Sequence, residues 1–301
     1  MLPATGVAAT IVAEMTKIAI FLLFFLHGAK LAPRAVLDGV SNWRLQLFVL
    51  LATFAVFPAL GLGLRFLVGH QLAAPLETGV LFVCLLPSAV QSSIAFTSIA
   101  RGNVPAAICA ASASNLAGIL LTPLLVGLLM NAHAGFSLSS VGDVALQLLL
   151  PFALGQLGRP VIGAFLRRHA AVTSYVDRGS ILLVVYGAFS AGVASGVFRG
   201  VDAIDLVWVL GLDALLLASV LCITTLGSRW LGLPTDDEIA IVFCGSKKSM
   251  ASGIPMANIL FPTDAVGLIV LPLMLFHQIQ LFACAFLAQR YAARRAKAAL
   301  R

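Results

Sequence analysis

Charge is what this chain has least of. Asp, Glu, Lys and Arg make up 10% of its 301 residues against 60% apolar residues, and mean hydropathy is +1.04. That shortage excludes a soluble single-core protein of this size. Short alternating apolar segments are also missing. The apolar runs are long and continuous, which excludes a membrane β-barrel and leaves a polytopic helical membrane protein. The five cysteines, Cys84, Cys109, Cys222, Cys244 and Cys284, show neither CxxC nor Cys/His ligand spacing, so they read as packing residues rather than metal or redox groups. No nucleophile–base–acid set recurs at one depth, which argues against an enzyme. Met1–Ala13 has no basic n-region, so no cleavable signal peptide is evident, and the first span, with Glu14 and Lys17, is expected to stay.

A net charge of +7 would suggest nucleic acid in a soluble protein, but here its placement points to topology. Apolar runs predict nine spans, at about 9–29, 44–69, 76–100, 103–130, 141–167, 175–198, 204–230, 237–260 and 264–292. One set of loops then holds fourteen Lys and Arg residues, among them Arg34, Arg178 and the tail ending in Arg301, and the other set holds only Arg65 and Arg199. The positive-inside rule puts the C-terminus in the cytoplasm and, with an odd span count, the N-terminus outside. The expected location is a bacterial inner membrane.

Inside this apolar background stands FCGSKKSMASGIP, Phe243–Pro255. A lysine at the centre of a span costs roughly 2.5–3.5 kcal/mol on insertion scales, so Lys247 and Lys248 imply partners or a water-filled cavity. The plainer alternative is a polar break that caps two half-helices and binds nothing.

The third and eighth spans share a construction. Each opens on a proline and acidic residues, Pro75 with Glu77 and Pro234 with Asp236, Asp237 and Glu238, and each breaks in a polar cluster, Pro87–Ser93 and Gly245–Ser249. Five spans separate them, so the two segments cross in opposite directions, as in inverted repeats whose broken helices form a midplane site. Unwinding frees carbonyls for a cation, and the following half-helix offers N–H groups to an anion. Ser88, Gln91, Ser92, Ser93, Ser246 and Ser249 add side-chain oxygens at that depth. Asp213, the one acid deep in the apolar region, is a candidate charge partner for Lys247 or Lys248, or alternatively a residue hydrogen-bonded to a neighbouring helix. His277 and Gln278 could touch substrate or coupling ion, although a lone histidine in a bundle is more often a structural hydrogen-bonder.

With those residues in view, the chain resembles the bile acid:sodium symporter family, in its symporter-like branch. The carrying segments are PSAVQSSIAFTSIARGNV at Pro87–Val104 and the SKKS segment, with weaker matches at Ala52–Pro58, Leu120–Pro123 and Phe276–Ile279. The resemblance implies an all-α membrane fold of two inverted repeats: panel helices at 9–29 and 141–198, and core helices at 44–130 and 204–292 holding the broken helices 76–100 and 237–260 as one polytopic unit over 1–301. It begins at the family's second helix, which leaves two readings: a start codon placed too late, or a nine-helix member with an outside N-terminus.

It also implies a secondary transporter that moves a small organic anion by alternating access. Lys247, Lys248, Ser246, Ser249, Gln91, Thr53, His277 and Gln278 are then expected at the substrate, and Ser92, Ser93, Ser112, Asn115 and Cys244 at a coupling ion. The family's sodium ligands carry over poorly. Ser92 and Ser93 keep oxygens, whereas Ala107 and Ala111 stand where Ser and Thr are expected, and Phe243 and Lys247 where Glu and Gln are expected. At most one weak Na+ site is therefore expected, or H+ as coupling ion through a desolvated lysine. The alternatives are a proton-coupled or uncoupled lysine-based carrier, and a membrane regulator of ion homeostasis that carries no solute. The expected partners are the anionic substrate and the bilayer, with no nucleic acid and no cofactor beyond the coupling ion. Substrate identity and oligomeric state are not legible in the sequence.

Overall fold

The computed structural model describes residues 3–30, 42–68, 72–130 and 138–299, and every regular element among them is helical. Arg34 and Arg301, two of the cations behind the orientation argument, lie outside the described residues. In chain order the helices are α1 (Val7–Lys30), α2 (Trp43–Leu51), a π-helical turn (Ala52–Val56), α3 (Phe57–Val68), α4 (Ala74–Leu85), α5 (Val90–Ile99), α6 (Val104–Met130), α7 (Leu138–Arg168), α8 (Ala170–Ser195), a 3-10 turn (Val197–Gly200), α9 (Ala203–Trp230), α10 (Thr235–Gly245), α11 (Met250–Leu260) and α12 (Val266–Ala299).

Seven helical stretches among the described residues are long and apolar enough to cross a bilayer: Val7–Lys30, Trp43–Phe66, Val104–Met130, Leu146–Leu166, Ala170–Ser195, Ala203–Trp230 and Val266–Ala296. The pair α4 and α5, bent by 59° at its break, adds an eighth. The pair α10 and α11 is not among these stretches; it carries Asp236, Asp237, Glu238, Lys247 and Lys248 within or between its two halves. The chain is thus an all-α, multi-pass integral membrane protein.

The residues divide into two compact units. One comprises Met1–Ala32, Pro123–Val201 and Ala251–Val270. In it α1 packs along α7 and α8, and two glycines set the distance. A Cβ on Gly28 would stand 2.0 Å from Phe152 O, and one on Gly155 would stand 2.0 Å from Phe25 O, so the two backbones touch where neither carries a side chain. Lipid offers no hydrophobic drive between helices, so this small-residue approach supplies the packing. Lys30 pairs with Asp177 to tie the end of α1 to α8. At the other end of α8, Gly196 closes the helix in the left-handed region at φ +76°, which a residue without a Cβ adopts at no cost.

The other unit comprises Pro33–Thr122, Asp202–Met250 and Leu271–Arg301, and it contains both breaks. Here α10 packs against α5, α9 and α2, while α3 lies along α4. The acidic first turn of α10, Asp236, Asp237 and Glu238, faces the positive end of its own helix dipole. Those carboxylates also fasten the helix. Arg229 forks onto Glu238, with Nη2 2.9 Å from Oε1, and Tyr291 donates to the same oxygen at 2.7 Å. Asp237 accepts from Asn42 at 2.9 Å and from Asn103 at 2.7 Å, and Arg295 pairs with Asp236. The ends of α9 and α12, the start of α2 and the α5–α6 turn are thereby anchored on one short helix.

Candidate functional site

An α-helix leaves its last four carbonyls without intrahelical partners and carries partial negative charge at that end. At the end of α4, Pro87 has no N–H with which to continue the ladder, so the chain runs non-helical from Leu86 to Ala89. Polar side chains of α6 then serve the break. Thr122 donates to Leu85 O at 2.8 Å, Ser114 Oγ accepts from Ser88 N at 3.0 Å, and Asn115 donates to Ser88 O at 3.0 Å.

Two further carbonyls, Cys84 O and Leu86 O, accept from Lys248 Nζ at 3.0 and 2.7 Å. The third proton of the ammonium goes to Thr53 O at 3.0 Å. Thr53 lies in the π-helical turn, whose widened ladder frees a carbonyl that an α-helix would use internally. The ring of Phe57, at the start of α3, lies 3.9 Å from Nζ. All three ammonium donors are thus matched by carbonyls in a fully buried cage.

The second break is served differently. Ser88 Oγ donates to Cys244 O at 2.6 Å and Ser93 Oγ donates to Phe243 O at 2.9 Å, so hydroxyls from the first break cover the carbonyls at the end of α10. Ser246 Oγ turns back onto Val242 O at 2.5 Å. Ser249 N donates to Pro87 O at 2.9 Å, joining the two breaks directly. The thiol of Cys244 points to Ala107 O at 3.6 Å.

Lys247 presents the opposite case to its neighbour. It is fully buried, its Nζ has no hydrogen-bond partner among the described residues, and its one cation contact is the ring of Phe96 at 4.0 Å. Ser92 Oγ, one helical turn before Phe96 on α5, is also buried and unpartnered. Ser112 is buried on α6, and Ala107, Ala111 and Phe243 are fully buried apolar residues. Asp213 is fully buried on α9. No ion pair joins it to Lys247 or Lys248 among the described residues, so the expected charge pairing is not made in this conformation.

Gln91 is exposed, as is Gln278. Gln280, two positions on, is fully buried: its Oε1 accepts from Lys248 N at 2.9 Å and its Nε2 donates to Lys248 O at 3.0 Å. The same nitrogen lies 2.8 Å from His277 Nδ1, one turn back on α12, so His277 reaches the break through Gln280. Helical spacing from His277 was the signal that could have found Gln280, since i and i+3 share a face and i+1 does not.

The Ala100–Val104 segment turns out to be architectural. Arg101 adopts φ +59°, a Cβ on Gly102 would meet Ile239 at 2.4 Å, and Asn103 both accepts from Ala106 N at 3.1 Å and donates to Asp237. This turn docks α5 and α6 onto α10.

The model of the SBF-like CPA transporter family matches residues 1–293. An uncharacterized Pseudomonas aeruginosa protein is 54% identical over 300 residues, covering 99% of this chain and 90% of that one. YfeH of Escherichia coli, named as a candidate symporter, is 52% identical over 290 residues, 96% of this chain and 87% of its own. The mouse sodium/bile acid cotransporter 7 is 28% identical over 272 residues, 89% of this chain and 80% of its own. A family of transporters, rather than enzymes, is thus matched along nearly the whole sequence, and the chain belongs to the SBF-like CPA transporter family.

Proposed function

We propose that this protein is a secondary transporter that moves a small organic anion by alternating access, with Lys247 countering the anion's charge. The observation that carries the reading is the contrast between the two lysines: Lys248 has every donor satisfied, whereas Lys247 is equally buried and has no hydrogen-bond partner among the described residues. A buried ammonium without polar partners is strongly unfavourable until a counter-charge arrives. The first turn of α5, with Ser92 Oγ, offers the N–H groups and hydroxyl that orient such an anion.

The reading includes nine spans, counting both broken helices, with the panel and core assignment and the inverted repeat given above. The C-terminus lies in the cytoplasm and the N-terminus outside, in a bacterial inner membrane. Its coupling is to a proton or to none. This is favoured over two sodium ions because Ala107, Ala111 and Phe243 offer no side-chain oxygen where the family places ligands, and because Ser93 spends its hydroxyl on Phe243 O. Counterflow of a labelled organic anion in proteoliposomes tests the proposal. Uptake that is abolished in Lys247→Ala supports it. A purified protein that carries no anion from a broad panel, and influences ion balance only with a partner protein, would make it a regulator instead.

A further inference from the structure

We infer that Lys248 occupies a monovalent-cation site built from the chain's own carbonyls, and that the site accepts a free cation of ammonium's size once the side chain is removed. The inference concerns the fold itself and holds whatever solute is carried. Three backbone oxygens converge on one point: Cys84 O and Leu86 O from the negative end of α4, and Thr53 O from the π-helical turn, at 2.7–3.0 Å from Nζ. The ring face of Phe57 closes a fourth side at 3.9 Å.

The oxygens are not placed there by Lys248 alone. Pro87 ends α4 where those carbonyls emerge, and the wide turn over Ala52–Val56 is a property of α2 and α3. Carbonyl rings and helix C-termini are the donors that proteins use for monovalent cations, and a ring face adds attraction for weakly hydrated ones. Hard divalent ions demand carboxylates and more oxygens. No carboxylate pairs with Lys248 among the described residues, so calcium and magnesium fit poorly.

Gln280 is what makes the arrangement permanent. By holding both Lys248 N and Lys248 O, it fixes the backbone from which the ammonium is hung, so the cation is delivered with one donor for each carbonyl. A cation tethered in this way cannot dissociate from the carbonyls that surround it.

The test uses the full-length protein purified in detergent, with Lys248→Ala and Lys248→Met alongside the wild type. Each is extracted and held in the chloride salt of potassium, sodium, methylammonium or N-methylglucamine at one concentration, and monodispersity and thermal midpoint are read. Lys248→Ala leaves both a cavity and three unsatisfied carbonyls. Methylammonium and potassium are expected to raise its midpoint by a few degrees over N-methylglucamine, as ligand binding to the folded state does. The wild type should not respond. Lys248→Met fills the volume without donating a hydrogen bond, so it should be less stable than wild type and insensitive to the salt. Two results overturn the inference: a Lys248→Ala protein indifferent to all four cations, including one unfolded in all of them, or a Lys248→Met protein as stable as wild type.

Discussion

Gln280 grips Lys248 by its backbone, accepting from Lys248 N at 2.9 Å and donating to Lys248 O at 3.0 Å. An amide offers an acceptor and a donor side by side, so it completes the hydrogen bonding of a residue that has left the helical ladder. Gln280→Leu strands both groups in a buried setting, at about 1–3 kcal/mol each. The thermal midpoint in detergent should fall by several degrees, whereas Gln278→Leu, at an exposed position, should change it little. Equal effects at the two positions would refute the clamp.

The two lysines should separate under the same substitution. Lys247→Met replaces an ammonium that has no hydrogen-bond partner among the described residues, and swapping a poorly compensated buried charge for an apolar group of similar volume is often neutral or stabilising. Its thermal midpoint should hold or rise while anion binding disappears. Binding of radiolabelled organic anion and differential scanning fluorimetry, run on the same preparation, check both halves. A Lys247→Met protein that binds anion normally would leave the break as a structural cap.

Sodium should bind weakly at most. Lys⁺ within about 4 Å of a bound Na⁺ repels it by roughly 4 kcal/mol at an effective dielectric near 20, which is about three decades of affinity. The expected result of calorimetry at neutral pH is no tight site. Two tight sodium ions per protein would return the chain to ordinary sodium symport.

Topology is open to chemical labelling. With single cysteines in a cysteine-free background, positions Glu77 and Asp264 should react with an impermeant maleimide from outside, and position Arg178 only after the membrane is opened. Outside labelling at position 178 would invert the orientation.

Packing of α1 on α7 sets a further expectation. Gly155→Leu would drive a side chain into Phe25 O, where even a Cβ stands 2.0 Å away, so backbones must separate. Loss of monodisperse protein on gel filtration is the expected outcome, and a well-behaved Gly155→Leu protein would argue against this close approach.

Much of this was legible in one dimension because bilayer physics writes itself into composition. Long apolar runs between charged breaks fix helices, since lipid cannot satisfy a free backbone group. Pro87, and the polar run Gly245–Ser249, mark the two places where the ladder stops. The lysine pair was conspicuous for the same reason: a charge in an apolar run is expensive and needs a cause. What the sequence could not assign is the division of labour within that pair. Lys247 and Lys248 are adjacent and chemically identical, and only the convergence of Thr53 O, Cys84 O and Leu86 O on one ammonium makes Lys248 a satisfied cation and leaves Lys247 an unsatisfied one. Those ligands are backbone carbonyls, which every residue possesses, so no residue type announces them. Helical spacing puts Gln280 rather than Gln278 on the face of His277, but which face of α12 meets the break is set by packing. The sequence determined where the helices are and where they must break, through local chemistry. Tertiary structure alone decided which buried charge is answered, because the answer comes from backbone groups brought together from two distant stretches of chain.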